Sequence, residues 1–165
     1  VHRTNRLPDP SMHAIEVDDD GSIMDFSTLH KHYDRGSGDI VSTAADLNAF
    51  HTALVSGELI SPSSYAVMKT GSPQSKKSIH MGALGSGKQG YGIGYAIISL
   101  EEPNELTLLG HTGGYAGAST FWYYLEAEDT YLTLHANSAI KAAAVQDEIL
   151  IPVILFLRDE DMAES

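Results

Sequence analysis

Apolar residues recur at helical spacing in two long stretches. Over residues 42–57, Leu47, Phe50 and Leu54 fall at i, i+3 and i+7 and make one stripe. Ser42 or Thr43 suits the N-cap, Asp46 places a carboxylate at the positive end of the helix dipole, and Gly57 supplies a stop. A short second helix is expected over residues 63–68, with Ser61 or Ser63 as cap and Pro62 near its start. The last stretch covers residues 138–157, with Ala142, Val145, Ile149, Val153 and Phe156 on its apolar positions. Pro152 lies in its middle and is expected to kink or divide it. Residues 158–165 read as a polar, frayed tail.

Strand-like runs occupy residues 91–98, 105–111, 119–125 and 131–135, separated by short polar or Gly-rich turns, the spacing of an antiparallel meander. Residues 71–90 are rich in Gly, Ser and Lys and read as a mobile loop. Residues 1–40 are polar and irregular, except that Asp20-Gly21 can join two short strands, residues 14–17 and 23–26. The expected order is an irregular part (1–40), a helical part (41–70), a loop (71–90), an antiparallel sheet (91–136) and a C-terminal helix (138–157). Helices and strands are segregated, so the fold class is α+β, an antiparallel β-meander covered by the C-terminal helix.

At 165 residues the chain is one domain or a piece of one. Lys plus Arg is 10 against 22 Asp plus Glu, a net charge of −12. So acidic a chain is repelled by phosphate backbones and anionic lipid, which argues against nucleic-acid binding. It has no cysteine, hence no disulfide, thiolate metal site or Cys nucleophile. No run of about 18 apolar residues is present, so no helical membrane span is expected. The chain begins at Val1 without Met or a signal-peptide pattern, and reads as a processed or truncated product.

Gly110-His111-Thr112-Gly113-Gly114 follows a strand directly and is the most informative stretch. Glycines at a strand end let a ligand approach the backbone, and the imidazole and hydroxyl beside them supply polar groups. A hairpin turn that needs Gly, with His111 as decoration, is the plainer explanation of these residues alone. Other signals are weaker. Asp18-Asp19-Asp20 is no EF-hand loop, because the sixth and twelfth positions are Ile23 and Leu29 rather than Gly and Glu. Gly82 to Lys88 imitates a phosphate loop, but Gln89 follows Lys88 where Ser or Thr is needed, and a strand follows where a helix is required. His30, His32 and Asp34 could hold zinc, although exposed loop residues explain them as well. His135 reads as a packed or edge residue. At least two of Trp122, Tyr123 and Tyr124 are expected to pack under the C-terminal helix.

Taken in order, Gly38-Asp39-Ile40-Val41-Ser42-Thr43-Ala44-Ala45-Asp46-Leu47, Tyr91-Gly92-Ile93-Gly94, His111-Thr112-Gly113-Gly114 and the strand ending in Asn137-Ser138 form a set. This set resembles the C-terminal part of the serine β-lactamase and penicillin-binding-protein-like hydrolases, of class C or esterase type. The resemblance covers residues 36–157 and implies a β-lactamase/transpeptidase-like fold. It also implies that His-Thr-Gly stands in for the Lys-Thr-Gly motif on the strand lining the active site. His111 and Gly114 are then the catalytic candidates, the Gly114 amide being one oxyanion-hole donor; His111 and Thr112 face the substrate, and Gly113 gives backbone room for binding it. No metal or cofactor is implied. The implied reaction is acylation of a serine by a D-alanyl peptide, a β-lactam or a small ester, followed by transfer to water.

The family's Ser-x-x-Lys nucleophile and Tyr-x-Asn motif lie upstream of the matched region. Ser138-Ala139-Ile140-Lys141 has the spacing but the wrong place. The expected partners are therefore a small-molecule or peptide substrate and a missing N-terminal portion of the same protein. Without that portion the sheet is expected to keep an uncovered edge or face and to self-associate. The alternative is a non-catalytic family member acting as a binding or structural module. The compartment stays open: extracytoplasmic for a peptidoglycan-directed enzyme, cytoplasmic for an esterase.

Overall fold

The computed structural model describes residues 13–27, 38, 40–72, 76–102, 104–139 and 141–164, with side chains through residue 159. His30, His32 and Asp34 lie outside the described residues. Among those described, no group of His, Cys, Asp and Glu is placed to hold a metal ion. Nor is any helix among the described residues long and apolar enough to cross a membrane.

β1 (Ile15–Val17) and β2 (Ile23–Asp25) form an antiparallel hairpin about the expected Asp-Gly turn. Asp20 accepts from the Ser22 backbone N–H, which holds its carboxyl below the usual range. The buried Glu16 fastens this hairpin to the rest of the chain. Its carboxylate accepts from the Gly117 N–H at 3.1 Å, the Ser138 hydroxyl at 2.7 Å and the Ala139 N–H at 2.5 Å. Gly117 has φ +73°, and a Cβ there would run into the backbone of Ala14 and Ile15, so the hairpin sits where only glycine fits.

Helix α1 (Ala44–Val55) is capped by Thr43, whose hydroxyl accepts from the Asp46 N–H at 3.1 Å. Helix α2 (Pro62–Met68) is capped by Ser61, with Pro62 in its first turn. One detail of α1 departs from the apolar spacing. Phe50 is half exposed, while His51 is fully buried beside Leu54. The helix turns toward the polar His51 because its Nε2 meets the Tyr95 hydroxyl and its ring lies 4.1 Å from that of Trp122.

The meander is larger than the sequence suggests. Six antiparallel strands run in chain order: β3 (Lys77–His80), β4 (Ser86–Tyr91), β5 (Ala96–Leu100), β6 (Leu106–Tyr115), β7 (Ala118–Leu125) and β8 (Thr130–Ala136). The expected loop over residues 71–90 thus contains two strands, joined through a short 3-10 turn, Gly82–Leu84. Its small and polar residues carry little strand propensity, and the pairing of β4 with β5 supplies what local sequence lacks. Met81 and Leu84, between β3 and β4, are fully buried and close one end of the core. The phosphate-loop imitation dissolves in the same way, since Gly87 and Lys88 lie within β4 and Lys88 donates to the Ser78 hydroxyl. The expected strand over residues 91–98 is divided: Tyr91 ends β4, and β5 begins at Ala96.

Both faces of the sheet are covered. One buries Ile98, Leu100, Leu106, Leu108, Phe121, Tyr123 and Leu125 against Leu150, Ile151 and Ile154 of the C-terminal helix. On the other, Leu109, Tyr95 and Tyr124 meet Leu54 and Tyr65 of the first two helices. Alternation along β7 therefore sends only Tyr123 of the three expected aromatics under the C-terminal helix. Trp122 and Tyr124 face the opposite way, and Trp122 donates its indole N–H to the Leu47 carbonyl of α1 at 3.0 Å.

The C-terminal element runs from α3 (Ala142–Val145) through a π-helical turn, Gln146–Leu150, into α4 (Ile151–Glu164). Pro152 does not divide it. A proline cannot donate to the carbonyl four residues back and crowds it, and the wider turn just before Pro152 makes the room, with the Ile151 N–H reaching Gln146. The helix also continues past residue 157. Arg158 pairs with the partly buried Glu128 at 2.9 Å and donates to the Asn104 carbonyl at 2.6 Å, which ties the expected tail to two loops of the sheet.

Candidate functional site

The ladder between β5 and β6 stops at the pair Ala96–Gly110. Among the described residues, β6 from His111 to Tyr115 pairs only with β7, in the rows His111–Trp122, Thr112–Phe121, Gly113–Thr120, Gly114–Ser119 and Tyr115–Ala118. The His-Thr-Gly-Gly stretch is therefore strand interior on one edge and outside the ladder on the other. It continues the strand rather than ending it in a turn. Along the unpaired edge, alternate backbone N–H and C=O groups face away from the sheet.

Each residue has a distinct place. Gly110 is demanded by packing, because a Cβ there would strike the Trp122 carbonyl. Gly113 and Gly114 are the reverse case: both are exposed, and a Cβ on either would meet nothing within 4 Å. Thr112 is exposed and His111 partly buried. Strand alternation sets His111 and Gly113 on the face of α1, and Thr112 and Gly114 on that of the C-terminal helix. Behind Gly114, the hydroxyl of buried Ser119 donates to the Ser138 carbonyl at 2.7 Å and fixes β7.

Among the described residues His111 has two polar contacts. Its Nδ1 lies 2.5 Å from the Thr112 carbonyl oxygen, and its Nε2 lies 2.5 Å from the Tyr91 hydroxyl. The two rings meet edge to face, centroids 5.5 Å apart. Tyr91 was visible in the sequence only as part of Tyr-Gly-x-Gly. Twenty residues separate it from His111, and only the register of β4, β5 and β6 brings them together.

The other candidates fall away from this strand. The Ser138 hydroxyl donates to Glu16 and accepts from the Lys141 backbone N–H at 3.2 Å. It works as a joint between the N-terminal hairpin and the last helix. His135 lies on the edge strand β8, 2.8 Å from the Thr120 hydroxyl, and burial pushes its pKa down.

A second polar group was missed altogether. His51, Tyr95 and Tyr65 form a buried chain, with the two hydroxyls 3.3 Å apart. Burial raises the Tyr95 phenol and lowers His51 to about 4. The only sequence signal was a His one position off an apolar stripe.

The sequence matches the model of the family described as Beta-lactamase over residues 2–153. This chain belongs to that family. Among solved structures it is similar to a D-stereospecific amidohydrolase from Streptomyces sp., at a TM-score of 0.63 and 24% identity. That likeness covers 82% of this chain and 37% of the amidohydrolase, so the chain spans well under half of that protein's length. The β-lactamase-like α+β fold expected from the motifs is therefore the fold of this chain. No curated protein matches it.

Proposed function

We propose that this chain forms one wall of a serine hydrolase active site and acts on an amide or ester through an acyl-enzyme. The serine and its base come from another part of the same protein. The observation that carries the reading is the outer half of β6. There His111, Thr112, Gly113 and Gly114 combine an unpaired strand edge, open space over two glycines and a histidine held in place. In the reaction, the serine oxygen attacks the carbonyl carbon and the carbonyl becomes an oxyanion. The Gly114 N–H is one of the fixed donors that stabilise it. Collapse expels the amine or alcohol with a proton, and water then releases the acid. Thr112 and His111 orient the substrate and the departing group. The solved relative is named a D-stereospecific amidohydrolase, so a D-alanyl amide or peptide is the first substrate to try, ahead of β-lactams and small esters.

The test compares the complete protein with His111→Ala and Thr112→Val on D-alanyl p-nitroanilide, a chromogenic cephalosporin and a p-nitrophenyl ester. Loss of His111 should cut kcat/KM by at least about 100-fold with Tm nearly unmoved. Thr112→Val should act in the same direction but more weakly. The 165-residue chain by itself should take no fluorophosphonate label. Full turnover by His111→Ala, or stoichiometric labelling of the isolated chain, overturns the assignment. A complete protein inert to every acyl substrate favours the binding-module alternative.

A further inference from the structure

We infer that Tyr91 is a positioning residue for His111: its phenol and the Thr112 carbonyl together hold the imidazole as the Nδ1–H tautomer. The inference rests on the reading of β6 as the active-site strand. A carbonyl oxygen can only accept, so the ring nitrogen 2.5 Å from Thr112 O carries the proton. A neutral imidazole has one N–H, which leaves Nε2 as the acceptor. The Tyr91 O–H then donates to it across 2.5 Å. The opposite tautomer would press a lone pair on Nδ1 against the carbonyl oxygen.

The phenol's place is set by backbone. Tyr91 ends β4, and the turn after it is closed by the Gly92 N–H to Tyr95 O at 2.8 Å. The Ile93 N–H then ties that turn to Met68 O of α2 at 3.2 Å. A strand end anchored at two points thus brings the hydroxyl to the ring, and the edge-to-face contact limits ring rotation. The proton count shows what the pair can do. When Nε2 gains a proton, Nδ1–H keeps its bond to Thr112, and the bond to Tyr91 reverses, with Nε2–H donating to the phenol oxygen. The phenol keeps its own proton throughout. The imidazole therefore keeps both anchors in either charge state, and its orientation on β6 does not depend on its protonation.

The experiment is a long-range 1H–15N correlation spectrum of the complete protein with 15N-labelled histidine, taken well above the ordinary imidazole range. Wild type should show His111 with a protonated Nδ1 and an unprotonated Nε2. In Tyr91→Phe the ratio of Nδ1–H to Nε2–H should fall about fivefold, the weight of one ordinary hydrogen bond. The same variant should lose about tenfold in kcat/KM at unchanged Tm. A wild-type His111 protonated on Nε2, or a ratio unmoved by Tyr91→Phe, overturns the inference. The spectrum needs no turnover, so the two readings fail separately. A shifted ratio with a fully active His111→Ala refutes the active-site reading alone, and an inactive His111→Ala with an unmoved ratio refutes the positioning role alone.

Discussion

Acid should unfold this protein through His51. The side chain is fully buried, its Nε2 faces the Tyr95 hydroxyl, and its Nδ1 has no hydrogen-bond partner among the described residues. The rings of Trp122, Tyr95, Tyr124 and Tyr131 stand around it, with centroids 4.1 to 5.9 Å away. A protonated ring would leave an N–H unmatched in that cage, so burial lowers the pKa from 6.5 to about 4. A depressed folded pKa means the stability is fully present above pH 6.5. It is lost as pH falls from there toward 4, and no more is lost below. Two and a half units at 1.36 kcal/mol each give about 3 kcal/mol. For a chain of this size that is roughly 6–12 °C in Tm. The assay is thermal melting followed by circular dichroism from pH 7.5 to 4, on wild type and His51→Gln. Glutamine can still bond the Tyr95 hydroxyl but does not titrate. The variant should start less stable at neutral pH, by the lost ring packing, and the gap should close or reverse by pH 4. Groups such as His135 titrate in both proteins and cancel in the difference. Parallel curves across the range would refute the reasoning, because they would mean that His51 titrates alike in folded and unfolded chains.

Gly110→Ala should prevent folding or cost more than about 3 kcal/mol in urea denaturation, since its Cβ has no room against the Trp122 carbonyl. Gly113→Ala should leave stability nearly unchanged, because its Cβ meets open space, and should lower kcat/KM in the complete protein; equal melting of the two variants would count against the geometry of β6. Glu16→Ala should destabilise by about 3 kcal/mol by releasing three charge-assisted hydrogen bonds. Ser138→Ala should cost about 1 kcal/mol and keep full hydrolytic activity; an inactive, well-folded Ser138→Ala would return that residue to the catalytic candidates.

Local sequence determined the elements whose signals are local. Thr43 and Ser61 cap their helices because a hydroxyl just before a helix can reach an orphan N–H two or three residues on. The strands β6, β7 and β8 were legible because alternating apolar residues need no partner to be recognised, and the ordered motifs at the start of α1, the end of β4 and the outer half of β6 together pointed to the family. What lay beyond local sequence was whatever a distant partner decides. Residues 86–91 become a strand through pairing with β5 and residues 77–80 through pairing with β4, their own residues being too small and polar to announce it. His51 is drawn into the core by a hydroxyl 44 positions away, and the π turn before Pro152 answers a steric demand that packing against the sheet keeps from breaking the helix. The candidate site divides along the same line. His111, Thr112, Gly113 and Gly114 stand together in sequence because one strand carries them. Tyr91 joins them only because β4 ends, and β5 begins, one row short of His111, and that register is a property of the sheet.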